Sequence, residues 1–307
     1  MVFTILLLGF FFLIKGADIF VEGSSSIARK FNVPPMVIGL TIVAMGTSAP
    51  EAAVSITSSI AGQNDMALAN VVGSNFFNIL IVLGVSCIIS TLPVEKNTIK
   101  KDTPFLLFVS GLLLIFSIDL NISRIEGFIF LAIFTYFLID TVKTAKNSDS
   151  KVEDVPSEDS PMFKTILLCI LGIIGIVLGG DMVVKSASSI AKSFGMSDNL
   201  VGLTIVAIGT SLPEFVTSVV AVRKGENDIA IGNIIGSNIF NILFVLGLST
   251  FINPISISMF ALFDVIFMIL ITILLFIFIK SKNSLIKSQG FIFIGLYIAY
   301  MTYTIIR

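Results

Sequence analysis

The sequence predicts an all-α polytopic membrane protein of ten transmembrane helices, arranged as two inverted five-helix repeats in which helices 2 and 7 are broken. Three observations lead to this fold class. The 307-residue chain is 55% hydrophobic and only 13% charged, with a mean hydropathy of +1.03, whereas soluble domains carry about 25% charged residues. Ten apolar segments are each long enough to cross a bilayer. The two halves of the chain repeat each other.

A bilayer-spanning helix needs about 20 mostly apolar residues, and ten segments meet that requirement. The segments comprise residues 2–22, 35–60, 66–90, 103–119, 125–143, 163–186, 198–222, 229–252, 258–280 and 286–305. They divide the chain into an N-terminal repeat (1–143), a polar linker that contains proline (144–162) and a C-terminal repeat (163–307). No basic stretch precedes the first apolar segment, so we expect no cleaved signal peptide.

The lysines and arginines of the loops predict the orientation in the membrane. One alternating set of loops contains fourteen of them and the other set contains four. Because cytoplasmic loops carry the excess of basic residues, we expect the linker to be cytoplasmic and both termini to be extracellular. A multi-pass protein of the plasma membrane, embedded in its lipid bilayer, is the resulting prediction, and its oligomeric state stays open.

Composition also excludes several classes of function. Nineteen Lys+Arg against 20 Asp+Glu leave a net charge of −1, so no nucleic-acid partner is expected. The chain contains no histidine, which rules out imidazole metal sites and histidine general bases. Its two cysteines, Cys87 and Cys169, lie in apolar runs and are expected to be packing residues.

An internal duplication covers about half of each repeat. Residues 16–86 align without a gap with residues 179–249 at a constant offset of 163, and 36 of the 71 positions are identical. The matched stretches include GLTIVAMGTSAPE with GLTIVAIGTSLPE, and NVVGSNFFNIL with NIIGSNIFNIL. Since each repeat holds an odd number of spans, the second copy enters the membrane from the opposite side. Secondary transporters have this architecture, with the substrate site at the repeat interface near the midplane.

Glu51 and Glu214 occupy equivalent positions deep within predicted spans. A carboxylate there costs at least about 2.5 kcal/mol on the lenient insertion scale, and by default it indicates a functional site. Inverted repeats would bring the two acids together near the pseudo-symmetry axis.

Pro50 and Pro213 precede the two acids. Proline lacks an N–H group and clashes with the carbonyl four residues earlier, so we expect both helices to break and to free carbonyls around 44–47 and 207–210. Unwound backbone is tolerated at membrane depth only where it lines a cavity or the protein interior. Freed carbonyls beside a carboxylate are typical of a cation site.

The helix that follows each acid adds a polar stripe with the spacing i, i+4, i+8, which places its members on one face. The stripe comprises Asn70, Ser74 and Asn78 in the first copy, and Asn233, Ser237 and Asn241 in the second. Carboxylates, hydroxyls, amides and carbonyls suit hard cations such as Ca²⁺, Na⁺ or Mg²⁺, and flexible multidentate oxygen ligands fit Ca²⁺ best. These ions would be transported substrates, and no cofactor is expected.

Two other classes of function remain open. A passive cation channel has no need for duplicated broken helices, although the duplication does not forbid one. An intramembrane enzyme could use a carboxylate pair for acid–base chemistry, but no nucleophile, histidine or metal triad accompanies the two acids here. We therefore expect no enzymatic activity.

The motif pairs GTSAPE…ANVVGSNFFN and GTSLPE…GNIIGSNIFN resemble the α-repeats of the cation/Ca²⁺ exchanger superfamily, and the compact prokaryotic sodium/calcium exchangers in particular. The resemblance covers nearly the whole chain. It implies secondary active antiport of about three Na⁺ for one Ca²⁺ by alternating access. It also implies that helices 1 and 6 slide as a gating pair.

The same resemblance implies a set of ligands. Calcium would be bound by the carboxylates of Glu51 and Glu214 and the backbone carbonyls of Thr47 and Thr210. Sodium would be bound on one side with Glu51 and on the other with Glu214. The sodium ligands would be Ala44, Ser48 and Ser237 beside Glu51; Ala207, Ser211 and Ser74 beside Glu214; and Asn78 and Asn241 at a middle site.

The sequence departs from some of these relatives at Asn241, where an aspartate is frequent, and this makes potassium co-transport a weaker expectation. The nearest alternative is a Ca²⁺/H⁺ exchanger. Those relatives carry a GNxxE-type motif, and the corresponding stretches here, ANVVGS and GNIIGS, lack that glutamate.

Overall fold

The computed structural model describes residues 2–147, 161–196 and 207–306, and this part of the chain is predominantly helical. Within the described residues, the first half contains six helices and the second half another six. They are α1 (Val2–Lys30), α2 (Pro35–Thr47), α3 (Ala49–Ile60), α4 (64–89), α5 (98–117), α6 (Arg124–Asn147), α7 (Met162–Ser193), α8 (Ala207–Thr210), α9 (Leu212–Arg223), α10 (Asn227–Ile252), α11 (Met259–Lys282) and α12 (Lys287–Ile306).

Six of the described helices are long and apolar enough to cross a membrane, or seven if the bent pair α2–α3 counts as one span. The described helices follow the predicted segments to within a few residues at most ends, and two of them are clearly longer. α1 continues to Lys30 and α7 to Ser193, beyond the predicted limits of 22 and 186. Hydropathy detects only the apolar part of a helix, and the small and polar residues that follow in α1 and α7 stay helical. The start of the predicted span 198–222 and most of the linker 144–162 lie outside the described residues.

The predicted breaks in helices 2 and 7 occur at single serines. Ser48 separates α2 from α3, with a bend of 49° between them, and Ser211 separates α8 from α9. The first break comes slightly later than the sequence predicts, because the Ser48 N–H still donates a helical bond of 3.0 Å to the Ala44 carbonyl. Pro50 and Pro213 then occupy the first turns of the helices that follow, where a missing N–H costs little.

Both polar-stripe helices change their winding at an asparagine. A π-helical segment begins at Asn78 in α4 and another at Asn241 in α10. π-Helical segments are rare in proteins, and those that occur are often found at functional sites. The spacing of the polar residues in the sequence does not predict these segments.

Helices α1 and α7 pack against each other along a line of glycines. A Cβ atom at Gly16 would lie 2.6 Å from the Ile176 backbone nitrogen, and one at Gly179 would clash with the backbone of Leu13. Small residues allow such close contact of backbones in membrane helices. The predicted packing role of the cysteines is consistent with this interface, since Cys169 faces Gly23 of α1 and both cysteines are buried and free.

In the part of the chain that the structure describes, two short antiparallel strand pairs join the halves, and they show a two-fold relationship. Strand β1 (Leu92–Pro93) pairs with β4 (Ser284–Leu285), and β2 (Asn121–Ile122) pairs with β3 (Ile255–Ser256). Leu92 is the partner of Leu285, and Ile255 is the partner of Ile122. The offset of 163 converts one pair into the other, since it relates Leu92 to Ile255 and Ile122 to Leu285. Reciprocal contacts of this kind are expected when equivalent units are related by a two-fold axis.

Candidate cation-binding site

Glu51 and Glu214 lie in the first turns of α3 and α9, directly after the helix breaks, and both side chains are fully buried. The breaks therefore place each carboxylate at the N-terminal end of a helix, where the helix dipole favours negative charge.

Each carboxylate accepts a hydrogen bond from a serine of the other half. Ser48 Oγ donates to Glu214 Oε1 at 2.7 Å, and Ser211 Oγ donates to Glu51 Oε1 at 3.0 Å. The second oxygen, Oε2, of each glutamate is buried and has no hydrogen-bond partner. An unpaired buried carboxylate oxygen is costly unless it binds something. Two such oxygens, one from each half, could bind a cation.

The polar stripes of α4 and α10 extend this arrangement. Ser74 Oγ lies 3.5 Å from Glu51 Oε1 and 3.1 Å from Ser211 Oγ. Ser237, at the equivalent position of α10, is buried, and its Oγ lies 3.5 Å from Asn233 Oδ1. The hydrogen bonds therefore group Ser74 and Ser211 with Glu51, and Ser48 with Glu214. This grouping differs from the expectation, which assigned each acid to the other pair of serines.

The helix breaks are also bonded across the halves through threonine and asparagine. Thr47 Oγ1 lies 3.0 Å from Asn233 Oδ1, and Thr210 Oγ1 lies 3.5 Å from Asn70 Oδ1. Each asparagine in turn donates to the backbone carbonyl of the glutamate in its own half. Asn70 and Asn233 therefore hold the broken segments in place around the acids.

The backbone carbonyls of Ala44 and Ala207 are also predicted ligands, and both residues lie four positions before the serine at which the helix breaks. The Ala44 carbonyl accepts bonds from Ser48 N and Thr47 Oγ1, and the Ala44 side chain packs against Gly236, next to Ser237. Ala207 begins α8, and its side chain lies outside the described residues.

The two asparagines at the π segments are bonded to a pair of residues that the sequence analysis missed. Asn78 Nδ2 donates to Asn238 Oδ1, and Asn241 Nδ2 donates to Asn75 Oδ1, both at 3.2 Å. Asn75 and Asn238 are identical in the two copies of the GSN motif. They were overlooked because they fall outside the i, i+4, i+8 stripe.

All these candidate ligands are oxygen atoms from carboxylates, hydroxyls, amides and backbone carbonyls. Among the described residues, no group of three or more His, Cys, Asp or Glu could hold a metal ion. Two carboxylates surrounded by neutral oxygens suit a hard cation that binds and leaves, rather than a zinc or copper ion. The fold and these residues together define a multi-pass membrane protein with two buried carboxylates and a cluster of polar oxygen atoms between two related halves.

Comparisons with known proteins agree with this class. The family described as "Sodium/calcium exchanger protein" matches residues 1–142 and 164–306. The chain is 46% identical to the putative antiporter CaxA of Alkalimonas amylolytica, over 81% of this chain and 80% of that protein. It is 34% identical to the sodium/calcium exchanger MaX1 of Methanosarcina acetivorans, over 97% of both chains.

A solved structure of the sodium-calcium exchanger NCX_Mj superposes with a TM-score of 0.88 at 34% identity, covering 98% of this chain and 97% of that chain. The chain belongs to the sodium/calcium exchanger family. It is accordingly a multi-pass membrane antiporter that handles small cations.

Proposed function

We propose that the protein exchanges about three Na⁺ for one Ca²⁺ by alternating access, with the ions bound between Glu51 and Glu214. The observation that carries this proposal is the pair of buried carboxylates. Each is bonded to a serine of the other half and each keeps one unpaired oxygen. One Ca²⁺ neutralises two carboxylates, and Na⁺ ions replace it as a group.

The calcium ligands in this proposal are the carboxylates of Glu51 and Glu214 and the backbone carbonyls of Thr47 and Thr210. The bonds from Ser48 and Ser211 support it, because they hold one oxygen of each carboxylate and leave the other free for the ion.

The sodium positions follow the grouping of serines and acids in the structure. One sodium ion would bind beside Glu51, with Ser74, Ser211 and the Ala207 carbonyl. Another would bind beside Glu214, with Ser48, Ser237 and the Ala44 carbonyl. Asn78 and Asn241 would supply amide oxygens to a middle site, since the Oδ1 atom of each is buried and unpaired.

Electrostatics explains why such a site would exchange ions rather than release them into an ion-free solution. With both carboxylates ionised and no ion bound, two like charges face each other in a medium of low dielectric constant. This empty state should cross poorly between outward-facing and inward-facing forms. One ion therefore leaves the cycle only when others replace it.

We also propose the architecture and orientation of the cycle. Ten spans form two inverted repeats, the linker is cytoplasmic and both termini are extracellular. The reciprocal contacts between the halves and the excess of basic residues in one set of loops support this arrangement. Helices α1 and α7, which correspond to spans 1 and 6, would slide together against the other helices, and their glycine-lined contact suits a pair that moves as a unit.

The test is sodium-gradient-driven uptake of radioactive calcium into proteoliposomes, with and without an imposed membrane potential. Exchange of three Na⁺ for one Ca²⁺ moves one net charge per cycle, so we expect uptake to respond to the potential. Uptake driven equally well by a proton gradient without sodium would favour the Ca²⁺/H⁺ exchanger. Calcium efflux into ion-free buffer as fast as efflux into sodium buffer would favour a passive channel.

A further inference from the structure

Four asparagines form a buried bridge between α4 and α10, close to the proposed cation site. They are Asn75 and Asn78 in α4 and Asn238 and Asn241 in α10, and each is at most 1% exposed. Asn78 donates to the side chain of Asn238, and Asn241 donates to the side chain of Asn75. The bonds are reciprocal under the offset of 163, like those of the serines and glutamates.

Each bond fixes the orientation of an amide group. The Nδ2 group of Asn78 faces the acceptor Oδ1 of Asn238, so the Asn78 Oδ1 atom must point away from it. That Oδ1 atom is buried and has no hydrogen-bond partner, and the same holds for Asn241 Oδ1. Asn78 lies one turn after Ser74 on the same face of α4, which is the face that carries the proposed ligands.

The bridge is not what helix packing alone would produce. Three polar atoms in it are buried without a partner: Asn78 Oδ1, Asn241 Oδ1 and Asn238 Nδ2. Buried polar groups of native proteins are nearly always satisfied, and a partly satisfied network is destabilising. The two unpaired acceptors are explained if they bind cations, as amide oxygens do for Na⁺ and Ca²⁺.

We propose that Asn75 and Asn238 are positioning residues for ion binding: each orients the amide of the opposite half, Asn241 or Asn78, so that its Oδ1 atom is presented to the cation. This inference rests on the proposed function, and it assigns a role to two residues that contact no carboxylate. Replacing either residue lets the partner amide rotate and present its NH₂ group, which repels a cation.

The test is a double-mutant cycle on the sodium dependence of exchange in proteoliposomes. Asn238→Ala should raise the half-saturating sodium concentration by about three- to ten-fold while changing the maximal rate by less than two-fold. In the Asn78→Ala background, Asn238→Ala should have no further effect, because the amide that it orients is already absent. Asn75→Ala with Asn241→Ala should behave in the same way.

The matched control is the non-partner combination Asn238→Ala with Asn241→Ala, for which the effects on half-saturation should multiply. If the effects on half-saturation also multiply in the partner pairs, Asn78 with Asn238 and Asn75 with Asn241, the inference is overturned. Loss of the folded protein in both Asn75→Ala and Asn238→Ala, judged by size-exclusion chromatography, would also overturn it, since the role would then be structural.

The same cycle is measured on the Na⁺ concentration that displaces bound Ca²⁺ from the purified protein in calorimetry, which does not depend on transport. A wild-type protein without sodium dependence would contradict the proposed function, and the binding cycle would still decide the inference. If the wild-type protein depends on sodium but the effects of the two substitutions multiply within the partner pairs, the inference alone is contradicted.

Discussion

The Ser48 hydroxyl donates to Glu214 Oε1 at 2.7 Å, so a residue at the helix break of one half bonds the buried acid of the other half. The equivalent pair, Ser211 and Glu51, makes the same bond at 3.0 Å. Movement of one half relative to the other therefore changes the surroundings of both carboxylates at once. This coupling between the two halves and the acids is what an alternating-access transporter requires.

Removing either buried acid should abolish exchange. Glu51→Ala or Glu214→Ala leaves one carboxylate to balance a divalent ion, so the bound state carries a net charge in a medium of low dielectric constant. We expect sodium-driven calcium uptake in proteoliposomes to fall to background in both variants. The protein should still fold, because losing a buried charge is not costly in itself.

The matched control for the acids is Asp119→Asn, which neutralises a carboxylate at an exposed position and should leave uptake unchanged. Robust uptake by either glutamate variant would contradict the site assignment.

Removing the serine hydroxyls should weaken sodium binding without abolishing transport. A hydrogen bond to a charged group contributes about 1.5–3 kcal/mol, which corresponds to about ten-fold or more in affinity. We expect Ser48→Ala and Ser211→Ala each to raise the half-saturating sodium concentration by about that factor, measured as the sodium dependence of calcium uptake. Ser281→Ala, at an exposed position, is the control and should behave as wild type. If sodium dependence is unchanged in both Ser48→Ala and Ser211→Ala, the proposed sodium ligands are contradicted.

The contact between α1 and α7 should not tolerate a single added methyl group. A Cβ atom at Gly179 would clash with the Leu13 backbone, and overpacking of this kind costs about 1–3 kcal/mol. We expect Gly179→Ala to lower the temperature at which the purified protein leaves the monodisperse peak in size-exclusion chromatography, and to slow exchange.

The control for this substitution is Gly111→Ala, because a Cβ atom at Gly111 would meet no atom within 4 Å. Replacing a helical glycine at an open position reduces the entropy of the unfolded chain and stabilises the protein slightly. Equal thermal stability of the two variants would show that the helices separate more easily than the structure indicates.

Asp102 should make stability depend on pH. It lies just before the predicted span 103–119, and burial raises its pKa to about 6, against a model-peptide value near 3.8. The folded protein therefore holds this proton more tightly than the unfolded chain, and stability falls as the pH rises from about 4 to 6. Ionising the group costs on the order of 1–3 kcal/mol at neutral pH.

Asp102→Asn removes that cost. The variant should withstand a higher temperature than wild type at pH 7.5, and the difference should shrink at pH 5, measured by size-exclusion chromatography after heating. If the variant and wild type differ in thermal stability by the same amount at pH 7.5 and at pH 5, burial of Asp102 does not have the expected effect. The exposed Asp119→Asn is the control.

Much of the site could be predicted from the sequence because it depends on local chemistry repeated twice. A proline before a buried acid must break a helix, and the breaks are found at Ser48 and Ser211. A regular spacing places Asn70, Ser74 and Asn78 on one face. The polar ends of α1 and α7 were missed because hydropathy detects the membrane portion of a helix and not its continuation.

The contacts between the halves could not be predicted in this way. Which serine bonds which glutamate depends on how the two repeats pack, and local sequence carries no information about that packing. Asn75 and Asn238 fall outside the regular stripe, and their contacts also depend on this packing, since they join residues 166 and 160 positions apart in the sequence. Identity between the two copies of the GSN motif was the signal that could have identified them.

The central claim is that Glu51 and Glu214 bind one shared cation. Calorimetric titration of the purified protein with Ca²⁺ tests it most directly, on wild type and on Glu51→Gln and Glu214→Gln, with Asp119→Asn as control. The account predicts one Ca²⁺ per chain in wild type and control, competition by Na⁺, and loss of binding in each glutamate variant. One Ca²⁺ bound with wild-type affinity by both single variants would show that the acids do not share an ion.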